Sequence, residues 1–383
     1  MSRDTASRPS GLSALAAPSL PSFIGQKEAV EKVRVALAAA TADGTQFPHT
    51  LMVGPPGLGK SLLAKVIAAH MGGQLRETLA QTLSHPDALS SLLQEAVDLD
   101  VVFIDEADGL PSPNMVLLYR SLEEGLLFLP KKGANRAGRA VTLSRFTLLA
   151  ATNNEFGLAQ PLRDRFRLTL RFEYYQPEDL AELLCLKAAG LGWAVRDDVL
   201  QRIGALGRGT PRLAMRLLES CRRVCRSRGG AVINLDHFRR ACEIDGIDSL
   251  GLDRTEQQYL RILYEAARSV RLGILAQMMS LPSRTVSSVI EDYLVRSGLV
   301  MRSDLGRELT TRGRDHVAAN LGADRVVAGP AALPPAETAT RPLPPAKTAT
   351  LPLPSALGLT RQLHSARRSR AAWDCHDGYA AWG

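Results

Sequence analysis

Apolar positions follow two rhythms along this chain, and the change of rhythm divides it. From Gln26 to Asp43 they recur with helical spacing, and Val30, Val33, Ala36 and Leu37 share a face. A short apolar run, Thr50-Leu51-Met52-Val53, precedes a helical pattern from Leu62 to His70. A polar–apolar stretch from Gln74 to Leu83 leads to a helix predicted over Asp87 to Val97. Then come an unbroken apolar run from Val101 to Ile104, a helix from Asn114 to Glu124, a second run from Phe146 to Ala151, and a strand from Leu168 to Phe172. Unbroken apolar strands suit a parallel sheet covered on both faces. Their alternation with helices predicts a doubly wound α/β domain over residues 21–173.

After Phe172 the strand rhythm stops. Residues 174–250 read as helices only, broken at Gly190–Trp193, Gly207–Thr210 and Gly229–Gly230. Residues 251–320 read as three helices and a short hairpin at Leu299–Leu309. Both chain ends lack periodicity. Residues 1–20 are rich in Ser, Ala and Pro and read as flexible. Residues 321–383 are of low complexity, with a tandem repeat starting at Leu333 and again at Leu343, and read as a disordered tail.

Composition narrows this picture modestly. A length of 383 residues allows two or three domains with sizeable cores, and the net charge of +8 suits a polyanionic partner. No apolar run is long enough for a bilayer, and Asp4, Arg8 and Pro9 interrupt any secretory pattern, so the cytoplasm is the expected compartment. Cys221 and Cys225 lie four apart with no nearby His, which favours reduced packing cysteines over zinc ligands.

The chemistry concentrates in Gly54-Pro55-Pro56-Gly57-Leu58-Gly59-Lys60-Ser61, which fits G-x-x-x-x-G-K-[ST] between a strand and a helix. Its glycines allow backbone N–H groups to close on phosphates at a helix N-terminus. Lys60 is expected on the outer phosphates and Ser61 on Mg²⁺. Asp105 and Glu106 end the buried strand beside this loop, where Asp105 suits the metal and Glu106 the attacking water. Asn153 ends the next strand and is expected to orient water or touch the γ-phosphate. Arg163 and Arg165, in Pro161-Leu162-Arg163-Asp164-Arg165-Phe166, offer guanidinium groups for a transferring phosphoryl group. Arg212 opens a helix capped by Thr210, where a cation gains nothing from the helix dipole, so a ligand role is expected.

Together these motifs resemble the AAA+ ATPases, and in detail the RuvB family of Holliday-junction branch-migration motors. Phe23-Ile24-Gly25-Gln26, Gly54 to Lys60, Pro161 to Phe166, Arg208-Gly209-Thr210-Pro211-Arg212 and Leu250-Gly251-Leu252-Asp253 carry the resemblance. It implies an AAA+ core, a helical lid over 174–250 and a C-terminal winged-helix domain over 251–320. It also implies an ATP-driven ring, a hexamer, moving duplex DNA at Holliday junctions. ATP would contact Ile24, residues 54–62 including Leu62, and Arg212, with Mg²⁺ on Ser61 and Asp105. Arg165 would act on a neighbour's ATP and Arg212 would be a second sensor. Lys131 to Arg145 would form a hairpin docking RuvA through Val141 and Leu143, and Arg284, Arg302 and Arg307 would meet DNA phosphates. Ala107-Asp108-Gly109, Asn153 and Arg167 depart from the family's usual Ile-His-Arg, Thr and Gly. A loader or remodeller, or a nucleotide-switched DNA-binding regulator, are the alternative readings.

Overall fold

In the computed structural model of the chain the described residues are Leu20, 23–129 and 139–321. The expected flexible start and low-complexity tail lie outside them, apart from Leu20 and Leu321. So does most of the Lys131–Arg145 segment.

The first domain runs α1 (Lys27–Asp43), β1 (Thr50–Val53), α2 (Lys60–Met71), β2 (Leu75–Leu79), α3 (Pro86–Glu95), β3 (Val101–Asp105), α4 (Ser112–Glu124), β4 (Leu126–Leu129), β5 (Arg139–Thr142), β6 (Thr147–Thr152), α5 (Gln160–Arg163) and β7 (Leu168–Arg171). A five-stranded sheet has the order β2-β3-β6-β1-β7, and each neighbouring pair is parallel. Its alternation is visible in the core. Met52, Phe103, Leu149 and Ala151 face one cluster with α1 and α2, while Leu51, Val102, Ile104, Leu148 and Ala150 face another with α3 and α4. Register places Val53 opposite both Thr152 and Arg171, so the carboxyl ends of the central strands open on one crevice. The β4–β5 hairpin starts at Leu126, before the segment expected from sequence.

The helical lid comprises α6 (Pro177–Gly190), β8 (Ala194–Val195), α7 (Asp197–Leu206), α8 (Pro211–Ser227), β9 (Val232–Ile233) and α9 (Leu235–Asp245). The expectation of helices alone is corrected by a short parallel pair, Ala194 with Val232 and Val195 with Ile233. The glycine-containing breaks lay these extended ends side by side, and two residues are too few to show a strand rhythm. Cys221, Cys225 and Cys242 are free and buried in the lid core.

The last domain comprises α10 (Arg254–Ala266), α11 (Leu272–Met278), α12 (Ser283–Thr285), a π turn at Val286–Ile290, α13 (Glu291–Arg296), β10 (Val300–Ser303), β11 (Gly306–Leu309) and α14 (Thr311–Leu321). The helical stretch from Ser283 to Arg296 is thus interrupted by the π turn. Helix α14, absent from the sequence reading, packs on α10. Among the described residues no helix is long and apolar enough to cross a membrane.

One titratable group is built into the sheet. His49 Nδ1 accepts the Leu148 amide at 2.9 Å, while the His49 carbonyl accepts the Arg167 amide at 3.0 Å. Burial first, then the charge of Arg167, pushes its pKa down from 6.5 to about 4. The unfolded chain therefore binds a proton that the fold refuses. The stabilisation is complete above pH 6.5 and is lost as pH falls toward 4, by roughly 2–3 kcal/mol. Urea melts between pH 7 and 4.5 are expected to show this loss, and His49→Gln, which keeps an acceptor, is expected to flatten it. An equal slope in the variant would contradict the assignment.

Candidate nucleotide site

The crevice is a cavity of about 240 Å³ lined by Pro56, Gly57, Gly59, Lys60, Ser61, Leu79, Asp105, Glu106, Thr152, Asn153 and Arg212. The strand ends of β2, β3 and β6 contribute Leu79, Asp105 and Thr152 to its wall. Gly54, Gly57 and Gly59 have φ of 154°, 78° and 100°, values that side-chain-bearing residues rarely adopt. A Cβ on Gly54 would meet the Phe172 carbonyl oxygen at 2.6 Å, so the loop lies directly on the strand end beside it.

Lys60 is buried and donates to the carbonyls of Gly54 and Pro55, each at 2.8 Å. Burial pushes its pKa down to about 8; Asp105 opposes the shift and Arg212 adds to it. A phosphate bound beside Lys60 would offset the desolvation that sets this shift. Asp105 Oδ1 accepts the Glu106 amide at 2.9 Å, and Glu106 has a left-handed φ of 52° that turns its carboxylate into the crevice. Gln81 Nε2 donates to Glu106 Oε2 at 2.9 Å, a partner outside every sequence motif.

Some predicted positions behave differently. Leu58 is fully buried in the core, so only its backbone is available, and its carbonyl accepts the Tyr175 hydroxyl at 3.3 Å. Neither Leu62 nor Ile24 lines the cavity. Ile24 is half-buried against the core, and Phe23 beside it lies next to Gly59. Thr210 stands at the N-cap of α8 without the expected side-chain cap bond; its methyl faces Gly57 instead. Thr152 and Leu79 line the cavity and were missed. Both sit on strand ends, where the topology, not a motif, identifies them.

Arg163 and Arg165 do not line this cavity. Arg165 pairs with Glu123 at 2.6 Å, and the Arg163 guanidinium lies 5.1 Å from the centre of the Phe156 ring. Phe156 is 81% exposed, a large apolar face beside Arg163. On the hairpin, Val141 lies opposite the buried Leu127, and Leu143 packs against the domain core; among the described residues there, Phe128 is an exposed apolar side chain.

In the winged-helix domain Glu291 is fully buried. Arg307 donates to it at 2.9 and 3.3 Å, Arg302 lies 2.9 Å away, and the Tyr259 hydroxyl donates at 3.0 Å. Two of the three arginines expected at DNA are therefore tied to an internal carboxylate, while Arg284 is exposed.

Comparison with known proteins agrees with this architecture. Residues 15–172 match the Holliday junction DNA helicase RuvB P-loop domain, and residues 249–318 match the RuvB C-terminal winged helix domain. A Holliday junction branch migration complex subunit RuvB from Saccharopolyspora erythraea is 36% identical over 302 residues, 78% of this chain and 85% of the relative. The chain belongs to the RuvB family. RuvB 2 of a Synechococcus species is also 36% identical, over 78% of this chain and 81% of its own. The Thermotoga maritima RuvB Holliday junction branch migration motor superposes with a TM-score of 0.70 and 31% identity, covering 79% of this chain and 97% of that structure. Like its RuvB relatives, the chain carries a nucleotide-binding AAA+ core and a winged-helix domain.

Arg307→Ala is expected to leave Glu291 buried with one guanidinium fewer and to destabilise the winged-helix domain by on the order of 3 kcal/mol. Exposed Arg284→Ala is expected to cost less than about 0.5 kcal/mol. Amide hydrogen exchange across residues 291–309 checks this, and equal protection in both variants would contradict it.

Proposed function

We propose that this RuvB-family chain is an ATP-driven ring motor that translocates duplex DNA at Holliday junctions. The observation that carries the proposal is the half-built site. Phosphate loop, Asp105, Glu106, Asn153 and Arg212 meet in one cavity, whereas Arg163 and Arg165 lie outside it, Arg163 against the exposed Phe156 and Arg165 on Glu123. A guanidinium that cannot serve its own nucleotide is available to a neighbour's. The Nε atoms of Arg163 and Arg165 are buried and have no hydrogen-bond partner among the described residues.

In this reading Mg²⁺–ATP supplies an electrophilic phosphorus with its charge partly neutralised. The oxygen donors fit a hard cation: the Ser61 hydroxyl and the Asp105 carboxylate share the cavity wall. Lys60 and the loop amides bind the phosphates. Glu106 accepts the proton of the attacking water, and Asn153 orients that water. Arg212 senses the outer phosphate from the lid. Arg165 leaves Glu123, an exposed and weak partner, to face the adjoining subunit's site. Arg284 contacts DNA phosphates, which a translocating protein needs without base readout. Arg302 and Arg307 hold the wing against the helix, and Arg302, half-exposed, also meets the backbone of DNA. The exposed Phe128, on the hairpin face opposite Leu127 and Val141, is the apolar contact offered to a RuvA-like partner. The ring is a hexamer acting in the cytoplasm.

The test uses the purified full chain with a synthetic four-way junction. Duplex DNA is expected to stimulate ATP turnover, and the junction is expected to resolve only with hydrolysable ATP. Turnover indifferent to DNA would reject the motor. Glu106→Gln is expected to bind ATP yet lose about 10²–10³-fold in turnover; near-normal turnover would reject its role. Mixtures of Arg165→Ala and Lys60→Ala chains are expected to regain activity, because some interfaces are then intact on both sides. Failure to recover in mixed rings would place Arg165 in its own subunit's chemistry.

A further inference from the structure

The loop carrying Arg212 has a second charged end. Arg208 is four residues earlier, a reach of at most about 14 Å. It points away from the nucleotide cavity into the winged-helix domain. Its two terminal nitrogens lie 2.7 and 2.6 Å from the two carboxylate oxygens of Glu256, and one also donates to the Gly251 carbonyl. The guanidinium stacks on the Tyr293 ring with 4.4 Å to its centre. Arg208 and Glu256 side chains are only 12% and 6% exposed. This is a bidentate, water-excluded pair, unlike the exposed pairs elsewhere on the surface. Burial raises the Glu256 pKa, and Arg208 is the largest influence opposing that rise.

The intervening residues are held, not slack. Arg208 and Gly209 both have left-handed φ, 54° and 76°. The Gly209 carbonyl accepts the Tyr175 amide at 2.9 Å, and a Cβ on Gly209 would stand 2.7 Å from the Tyr174 Cβ. Tyr174 and Tyr175 lie in the connection between β7 and the lid. Thr210 donates its amide to Gly207 at 2.8 Å, and Pro211 fixes the next step. At the far end, Gly57 abuts the Cβ of Arg212. The winged-helix domain answers from its side. Arg296 donates to the Arg208 carbonyl at 3.1 Å and stacks on Tyr174 at 3.3 Å, and the Tyr174 hydroxyl lies 3.3 Å from Asp292.

Other ties lie at the linker itself, where Gln257 Nε2 donates to the Gly246 carbonyl at 2.8 Å and His316 Nε2 lies 2.9 Å from Asp248 Oδ2. Among the described residues no lid helix packs extensively on a winged-helix element, and a cavity of about 480 Å³ opens between α8 and the linker at Gly251–Asp253.

We infer that Arg208 is a positioning residue that couples the nucleotide cavity to the winged-helix domain, by clamping Glu256 at one end of the loop whose other end presents Arg212. This rests on the nucleotide role given to Arg212 above. Movement of Arg212 on the phosphates pulls a braced five-residue segment, and the winged-helix domain follows because Arg208 grips the start of α10. Glu256 is also the third residue of that helix and caps Asp253, whose amide donates to it at 2.9 Å.

The test reads domain motion without DNA, so its outcome is separate from the motor assay. Donor and acceptor dyes are placed at Val35→Cys on α1 and Leu305→Cys at the wing tip, both exposed, in a chain with Cys185 and Cys375 changed to serine. Addition of a slowly hydrolysed ATP analogue is expected to shift transfer efficiency in the otherwise unaltered chain. Arg208→Gln is expected to abolish the shift while fluorescent-nucleotide affinity stays within about threefold, since the pair touches no nucleotide-facing group. Glu256→Gln approaches the same bond from its other partner, and a glutamine there preserves the cap. It is expected to give the same loss, and the double variant no further loss. A full shift in either single variant would overturn the inference. So would a loss of nucleotide affinity as large as the loss of the shift, because that describes general disruption.

Discussion

Two loops lean on one another at the centre of this protein, and the rest of the structure depends on that contact. The phosphate loop from the sheet domain and the Arg208–Arg212 loop from the lid meet at Gly57, where a side chain would press on Thr210 and Arg212. A bare backbone is needed twice there: once so that amides reach phosphates, and once so that the lid approaches closely. Everything upstream serves to hold the first loop, through Gly54 on the Phe172 backbone and Tyr175 on Leu58. The second loop reaches the winged-helix domain through the Arg208–Glu256 pair.

Much of the nucleotide cavity was legible in the sequence because α/β sheets obey a simple rule. Carboxyl ends of parallel strands converge, so Lys60, Asp105, Glu106, Asn153 and Ser61 could be assembled from strand runs and one glycine pattern. What was not legible depends on register and on distant partners. Leu79 and Thr152 enter the cavity only because β2 and β6 flank β3 at the observed offset. Gln81 reaches Glu106 from a short turn with no motif. The β8–β9 pair is too short for any periodic signal. Glu256 reads as an ordinary helix-capping residue until Arg208 is seen beside it.

The winged-helix domain shows the same limit in its arginines. A basic residue on a hairpin reads as a surface charge, yet Arg307 lies inside against the fully buried Glu291. Burying that carboxylate is costly unless it is paired, so the arginines define how the wing sits on the helix before either meets another molecule. The domain can then move as a stiff unit. Stiffness matters because a motor transmits displacement only through parts that deform little.

The account makes the nucleotide cavity one half of a site, with the other half on a neighbouring subunit. The most direct test is electron cryomicroscopy of the full chain with duplex DNA and a slowly hydrolysed ATP analogue. The account predicts a closed ring around the duplex, with a neighbour's Arg165 about 3 Å from the terminal phosphate, at hydrogen-bonding distance. Arg165 still paired with its own Glu123, and phosphates touched by no residue of an adjoining subunit, would contradict it.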